Sequence, residues 1–208
     1  MLRWLWLFLI FNFLEAGVNL DFKDGMRAYI KGDDKSAYDI FSKLSKSNDA
    51  NGQFSVAFMY QYGYGVKQNY SLAYVWYEKS ASLGNGGAIY ALGYFNYYGL
   101  GRTQDYKKAY EYFKQADTLN IEKASFFLGT MYFKGEYVLK NLKKAYEYYS
   151  RSTTLGDSDA QVNLALMYIN GYAVDKNMTK AKKLCHDSYY GGNVEAKSVW
   201  EKYELWSY

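Results

Sequence analysis

Cys185 and His186 are the only thiol and the only imidazole in the chain, and they are adjacent. A thiolate with an imidazole base is the nucleophile of a hydrolase. Neighbouring positions on a helix do not face each other, which speaks against that pairing. One Cys and one His also fall short of the three or four ligands of a zinc site. A second candidate is Gly63-x-Gly65, which opens the stretch "GYGVKQNYSLAYVWYEKSASLG". Glycines before a helix can cradle phosphate, provided that a strand precedes them. A third is a row of lysines, Lys108, Lys144 and Lys180, flanked by Lys107, Lys143, Lys182 and Lys183, which could form a basic stripe. Two N-glycosylation sequons complete the set, Asn69-Tyr70-Ser71 and Asn177-Met178-Thr179.

Each of these candidates turns out to be one position in a repeat. Ala73, Ala109, Ala145 and Ala181 stand 36 residues apart. Ala57, Gly93, Gly129 and Ala165 keep the same step, as do Gly63, Gly99, Gly135 and Gly171. Two further columns are Gly84, Asn120, Gly156, Gly192 and Asn69, Asp105, Asn141, Asn177. No insertion breaks the register, and a fixed period of this length marks stacked supersecondary units.

Each unit reads as two helices. The first is "GQFSVAFMYQYG" and its echoes, where apolar or small residues recur at helical spacing, as in Ala124, Leu128, Gly129 and Tyr132. The small column at Ala57 predicts close helix–helix approach. The Gly63 column predicts left-handed helix ends. The Asn69 column predicts N-caps for the second helix. That helix carries Ala73, Trp76, Tyr77, Ser80 and Ala81 on one face.

The columns reassign the candidates. Gly63 follows a helix rather than a strand and recurs in every unit, so it punctuates the repeat. Gly65 and Gly101 give way to Tyr137 and Ala173, so that position is not strict. Cys185 stands in the core column of Tyr77, Phe113 and Tyr149. His186 stands in the solvent column of Glu78, Lys114 and Ser150. Glu111 and Glu147 lie one turn from the lysines and offset them, as on a solvated face. The sequon column is also the capping column.

The composition agrees. Half the residues are hydrophobic, 26 are Tyr, and none is Pro, as suits a chain that is mostly helix. The net charge of +4 comes from lysines mixed with acids, with no isolated basic tract to suggest nucleic acid. The N-terminal "MLRWLWLFLIFNFLEAG" has Arg3, an apolar run Trp4–Leu14 and then Ala16 and Gly17. Eleven residues rise about 16 Å as a helix, too short for a hydrocarbon core of about 30 Å. Residues 1–17 therefore read as a signal peptide, and the mature protein is expected in the secretory pathway, ER lumen or periplasm. The alternative is a buried first helix or an uncleaved anchor. A single Cys leaves no internal disulfide.

Upstream, "GMRAYIKGDDKSAYDIF" fits a shorter helix pair over 18–50. Downstream, "NVEAKSVWEKYELWSY" restarts a first helix over 193–208, with Glu201 in the small column, as in a polar cap. Four full repeats span 51–192.

"ASFFLGTMY", "GYGVKQNYSLAYVWYEKSA" and "DYKKAYEYFKQA" resemble the Sel-1-like repeat family, relatives of the tetratricopeptide repeat, and the resemblance covers about residues 20–206. It implies an all-α fold, a right-handed α/α superhelical solenoid of 36-residue helix–loop–helix repeats, with first helices lining a concave face. It also implies adaptor work on a protein or peptide partner, without catalysis, cofactor, nucleic acid or small-molecule substrate. The cysteine-rich bacterial branch of the family carries a disulfide in each repeat, and this chain lacks those paired cysteines.

Aromatics beyond the needs of the core are the functional lead. The columns at 55, 58 and 61 lie off the first-helix core face, yet carry Tyr94, Tyr97, Phe127 and Phe133 in later units. With Asn163, these form the expected partner-binding groove. The alternative places these rings in the core between neighbouring helices. Two other functional readings stand beside the adaptor: a structural subunit of a large, possibly membrane-associated assembly, and a secreted hydrolase-like enzyme using Cys185.

Overall fold

The structure, a computed structural model, describes residues 20–207; the proposed signal peptide lies outside them. Among the described residues there are eleven α-helices, one 3-10 turn and no strand. They fall into two compact units, Met1–Asp105 and Tyr106–Tyr208. The first holds α1 (Leu20–Lys31), α2 (Asp34–Lys46), α3 (Ala50–Tyr62), α4 (Tyr70–Ser82) and α5 (Gly86–Tyr98). The second holds α6 (Tyr106–Thr118), α7 (Glu122–Lys134), α8 (Leu142–Thr154), α9 (Ser158–Asn170), α10 (Met178–Tyr190), α11 (Val194–Lys202) and the turn Leu205–Ser207. Within each unit every helix packs on the next in sequence, the stacking of an all-α solenoid.

Side-chain chemistry sets the helix boundaries. Asn69, Asn141 and Asn177 each accept a backbone N–H three residues on, at 3.0, 3.0 and 2.8 Å, and so start α4, α8 and α10. A second capping column, not expected from the sequence, starts first helices at Asp49, Asn85, Asp157 and Asn193. Ile121 interrupts that column and has no side-chain cap to offer. The Gly63 column ends first helices with φ between 69° and 81°, the left-handed end that glycine adopts without strain.

The helices are tied by packing and by buried hydroxyls. At Gly129 an added Cβ would lie 2.7 Å from the Tyr149 ring, so α7 and α8 approach as the small column requires. Ser80, Ser152 and Ser188 are buried and donate to the carbonyls of Ala50, Glu122 and Ser158, each at 2.7 Å. Each such bond joins a second helix to the start of the preceding first helix. The cores are continuous apolar clusters: Phe22, Tyr29, Phe41, Leu44, Phe58 and Met59 in the first unit, and Tyr149, Leu164, Met167, Cys185 and Leu205 among others in the second.

Candidate protein-interaction surface

The structure redistributes the expected groove residues. Phe127 is 5% exposed and stacks on Phe113 with ring centroids 4.7 Å apart. Tyr97 is also 5% exposed. These two are core residues, not open rungs. Tyr94 is half-buried, with its ring 4.6 Å from Tyr98 and 6.3 Å from Tyr90. Phe133 is half-buried, 6.0 Å from Tyr172, with the Lys140 ammonium 5.7 Å over its ring. Asn163 is half-buried on α9.

On the first three of these first helices the half-open position lies one residue before the expected one, roughly 100° of helix away. Ser55, Ala91 and Phe127 are buried while Phe54, Tyr90 and Phe126 beside them are half-buried; on α9 the order reverses, with Val162 buried and Asn163 half-buried. Two turns on, Tyr62 and Tyr98 are 40% and 51% exposed. In the first unit, Phe54, Tyr62, Tyr90, Tyr94 and Tyr98 therefore make an aromatic, uncharged set on α3 and α5. Burial raises the Tyr62 and Tyr94 hydroxyls above the ordinary tyrosine range, with neighbouring tyrosines adding to it. In the second unit the same positions hold Phe126, Thr130, Lys134 and Leu166, a more mixed face.

A second tyrosine system was missed from the sequence. Tyr38 meets Tyr60 at 3.0 Å, Tyr110 meets Tyr132 at 2.9 Å, and Tyr146 meets Tyr168 at 2.9 Å, hydroxyl to hydroxyl. The rings in each pair stand edge to face. In the remaining member of the series Asn96 replaces the second tyrosine, and its amide donates to the Tyr74 hydroxyl at 3.3 Å. The pairs join a second helix to the first helix that follows it. The signal was present as two 36-residue columns offset by 22 residues. The lysine row belongs to the same system: Lys144 and Lys180 are exposed but lie 4.9 and 5.1 Å over the rings of Tyr132 and Tyr168. It caps tyrosine rings as well as facing solvent.

The remaining candidates behave as their columns require. Cys185 is buried, and burial pushes its thiol up to about 11, which keeps it neutral and a poor nucleophile. His186 is exposed, with Nδ1 3.5 Å from Asp187. Asn69 and Asn177 use their carbonyl oxygens as caps. No group of three His, Cys, Asp or Glu converges as a metal site among the described residues.

The comparisons with known proteins agree with this architecture. The family model described as Sel1 repeat matches four times, at residues 50–85, 87–116, 122–157 and 158–193. No curated protein matches the sequence. Among solved structures, a Sel1 repeat protein from Oxalobacter formigenes is similar with a TM-score of 0.80 and 26% identity, over 87% of this chain and 74% of that one. The protein c5321, a protective antigen present in uropathogenic Escherichia coli strains and displaying an SLR fold, gives 0.74 and 28%, over 85% of this chain and 38% of that one. Helicobacter pylori cysteine rich protein B gives 0.51 and 28%, over 64% and 96%. Sel1 repeat proteins generally act as protein-interaction scaffolds. With four matched repeats over most of its length, and helix pairs stacked as in those structures, the chain belongs to the Sel1 repeat family.

Proposed function

We propose that this chain is a non-catalytic adaptor that holds a partner protein or peptide against the first-helix faces of its units. The observation that carries the proposal is the uncharged aromatic row of Phe54, Tyr62, Tyr90, Tyr94 and Tyr98. Tyr62 and Tyr98 keep a large part of their rings at the surface, where flat, rigid aromatics are the usual anchors of recognition. Phe126, Phe133 and Asn163 are the contact residues proposed for the second unit. The neutral, buried thiol of Cys185 speaks against the hydrolase reading. The N-terminal apolar run supports an extracytoplasmic or lumenal compartment. There Asn69 and Asn177 would be candidates for glycosylation.

Affinity capture from the native compartment, followed by mass spectrometry, tests the adaptor role. A partner retained by the unmodified chain and lost with Tyr98→Ala supports it. Turnover that disappears with Cys185→Ser, and no captured partner, would replace it with the enzyme.

A further inference from the structure

Two second helices of the second unit enclose a pocket of about 320 Å³. Tyr110 and Lys114 of α6 line one side, Lys144, Glu147, Tyr148 and Arg151 of α8 the other, and the buried Tyr132 of α7 the floor. The floor is built on one of the recurring tyrosine pairs. The Tyr110 and Tyr132 hydroxyls meet at 2.9 Å, and Tyr148 stacks on Tyr132 with ring centroids 5.7 Å apart and planes 8° from parallel. Two cations sit on these rings. The Lys144 ammonium lies 4.9 Å over Tyr132, and that of Lys114 lies 5.9 Å over Tyr148 and donates to its hydroxyl at 3.3 Å.

The repeat columns show that this set of cations belongs to one place in the array. Lys114 stands where other units have Ser42, Glu78 and Ser150, and Arg151 where they have Lys79, Gln115 and Asp187. One unit on, the positions of Glu147 and Arg151 hold Lys183 and Asp187, which pair with each other at 2.9 Å.

Charge and hydrogen bonding both leave the pocket incomplete. Arg151 is already engaged: its Nε donates to the Asp117 carboxylate at 3.0 Å, and one terminal nitrogen donates to the Asp117 carbonyl and the Asn120 side chain at 3.1 and 3.0 Å. Asp117 balances its charge. Neither Lys114 nor Lys144 forms an ion pair among the described residues, and neither does Glu147. The Tyr148 hydroxyl accepts from Lys114, so its hydrogen is left to donate. With Arg151 balanced, Lys114 and Lys144 stand against Glu147 alone, which leaves one positive charge in excess. A singly charged acceptor completes such a site.

We propose that this pocket binds a carboxylate presented by a partner polypeptide, held between the Lys114 and Lys144 ammoniums and accepting a hydrogen bond from the Tyr148 hydroxyl. A carboxylate supplies the one charge that is lacking. A phosphate monoester would bring about two, and would meet Glu147 with about twice the repulsion. Glu147 is thus the repulsive element that limits the charge of the ligand, beside the attractive one of the lysines. The site shares no residue with the first-helix surface and stands or falls apart from it.

The test is an NMR titration of the isotope-labelled full chain at low ionic strength. The probes are acetyl-Gly-Glu-Gly-amide, acetyl-Gly-Gln-Gly with a free C-terminus, acetyl-Gly-Gln-Gly-amide and inorganic phosphate. At least one of the two carboxylate probes should shift the amide signals around Lys114, Lys144 and Tyr148, and the uncharged amide should not. Lys114→Gln and Lys144→Gln should each weaken that binding about two- to fivefold, the scale of an ion pair near the surface. Tyr148→Phe, which keeps the ring stack, should weaken it too, and Glu147→Gln should strengthen it. Lys114, Lys144 and Glu147 are exposed, so their variants should melt as the parent does. Binding of the Glu probe alone supports the proposal with an acidic side chain as the source, and binding of the free C-terminus alone supports it with a chain end. Equal shifts from the uncharged amide overturn it. So do silence from both carboxylate probes, tighter binding of phosphate than of either, or weaker binding to Glu147→Gln.

Discussion

At the residue scale, the position two residues after the loop glycine shows how one column can obey two constraints. Gly65, Gly101, Tyr137 and Ala173 all have φ between 61° and 67°. At Gly65 an added Cβ would lie 2.2 Å from the Asp34 carbonyl oxygen, so both space and backbone demand glycine. At Ala173 only the backbone does. Ala173→Gly should therefore stabilise the protein by about 1 kcal/mol, whereas Gly65→Ala should destabilise it by more than that, as read from urea midpoints. The tyrosine pairs make a pH prediction. The Tyr168 hydroxyl is raised to about 12 by its hydrogen bond to Tyr146 and by burial, and Tyr38 to about 12 by burial and its bond to Tyr60. A folded value above the unfolded one near 10 means stability that is complete below pH about 10 and is lost as pH rises towards 12. Denaturant midpoints should fall across that window, and Tyr168→Phe should flatten the fall. If Tyr168→Phe leaves the slope unchanged, the pair is not coupled to folding.

At the element scale, the capping asparagines decide where second helices begin. Asn141→Ala should cost about 1 kcal/mol, and Asn141→Asp should cost little, because a carboxylate caps equally well. Applied to Asn69, the same pair of substitutions separates cap from sequon. Asn69→Asp removes any glycan but keeps the cap, whereas Asn69→Ala removes both. A mobility shift on deglycosylation of secreted protein that Asn69→Asp reduces would mark that sequon as used. These boundaries were legible in the sequence because a cap needs only a short side chain and a local backbone. The Asp49 column was legible by the same rule. It stands less clear than the Asn69 column because Ile121 breaks it.

At the scale of the whole molecule, burial separates fold from function. Phe127→Ala should cost about 3–5 kcal/mol, because it empties a site stacked on Phe113. Tyr98→Ala should leave the unfolding midpoint nearly unchanged and weaken partner capture. If Tyr98→Ala lowers the midpoint as Phe127→Ala does, the aromatic row is core and the proposed surface fails with it. N-terminal sequencing of the mature protein should find a start near Gly17. A start at Met1 would make the Trp4–Leu14 run an anchor or a buried helix.

The period, the two helices per unit, the loop glycines, the asparagine caps and the core place of Cys185 were all set by the sequence alone. Each depends on local backbone geometry or on identity between units, and repetition averages local signals until they stand clear. Which rings face outward was decided only by tertiary structure. A first helix in this array is packed on several sides, so its pattern is apolar almost all round, and periodicity cannot fix the open face to better than about one residue. That is why Phe127 was expected outside and is buried, while Phe54 and Phe126 are half-open. The tyrosine hydroxyl pairs had the same origin. They arise where side chains from different helices meet, and no single stretch of sequence records that distance.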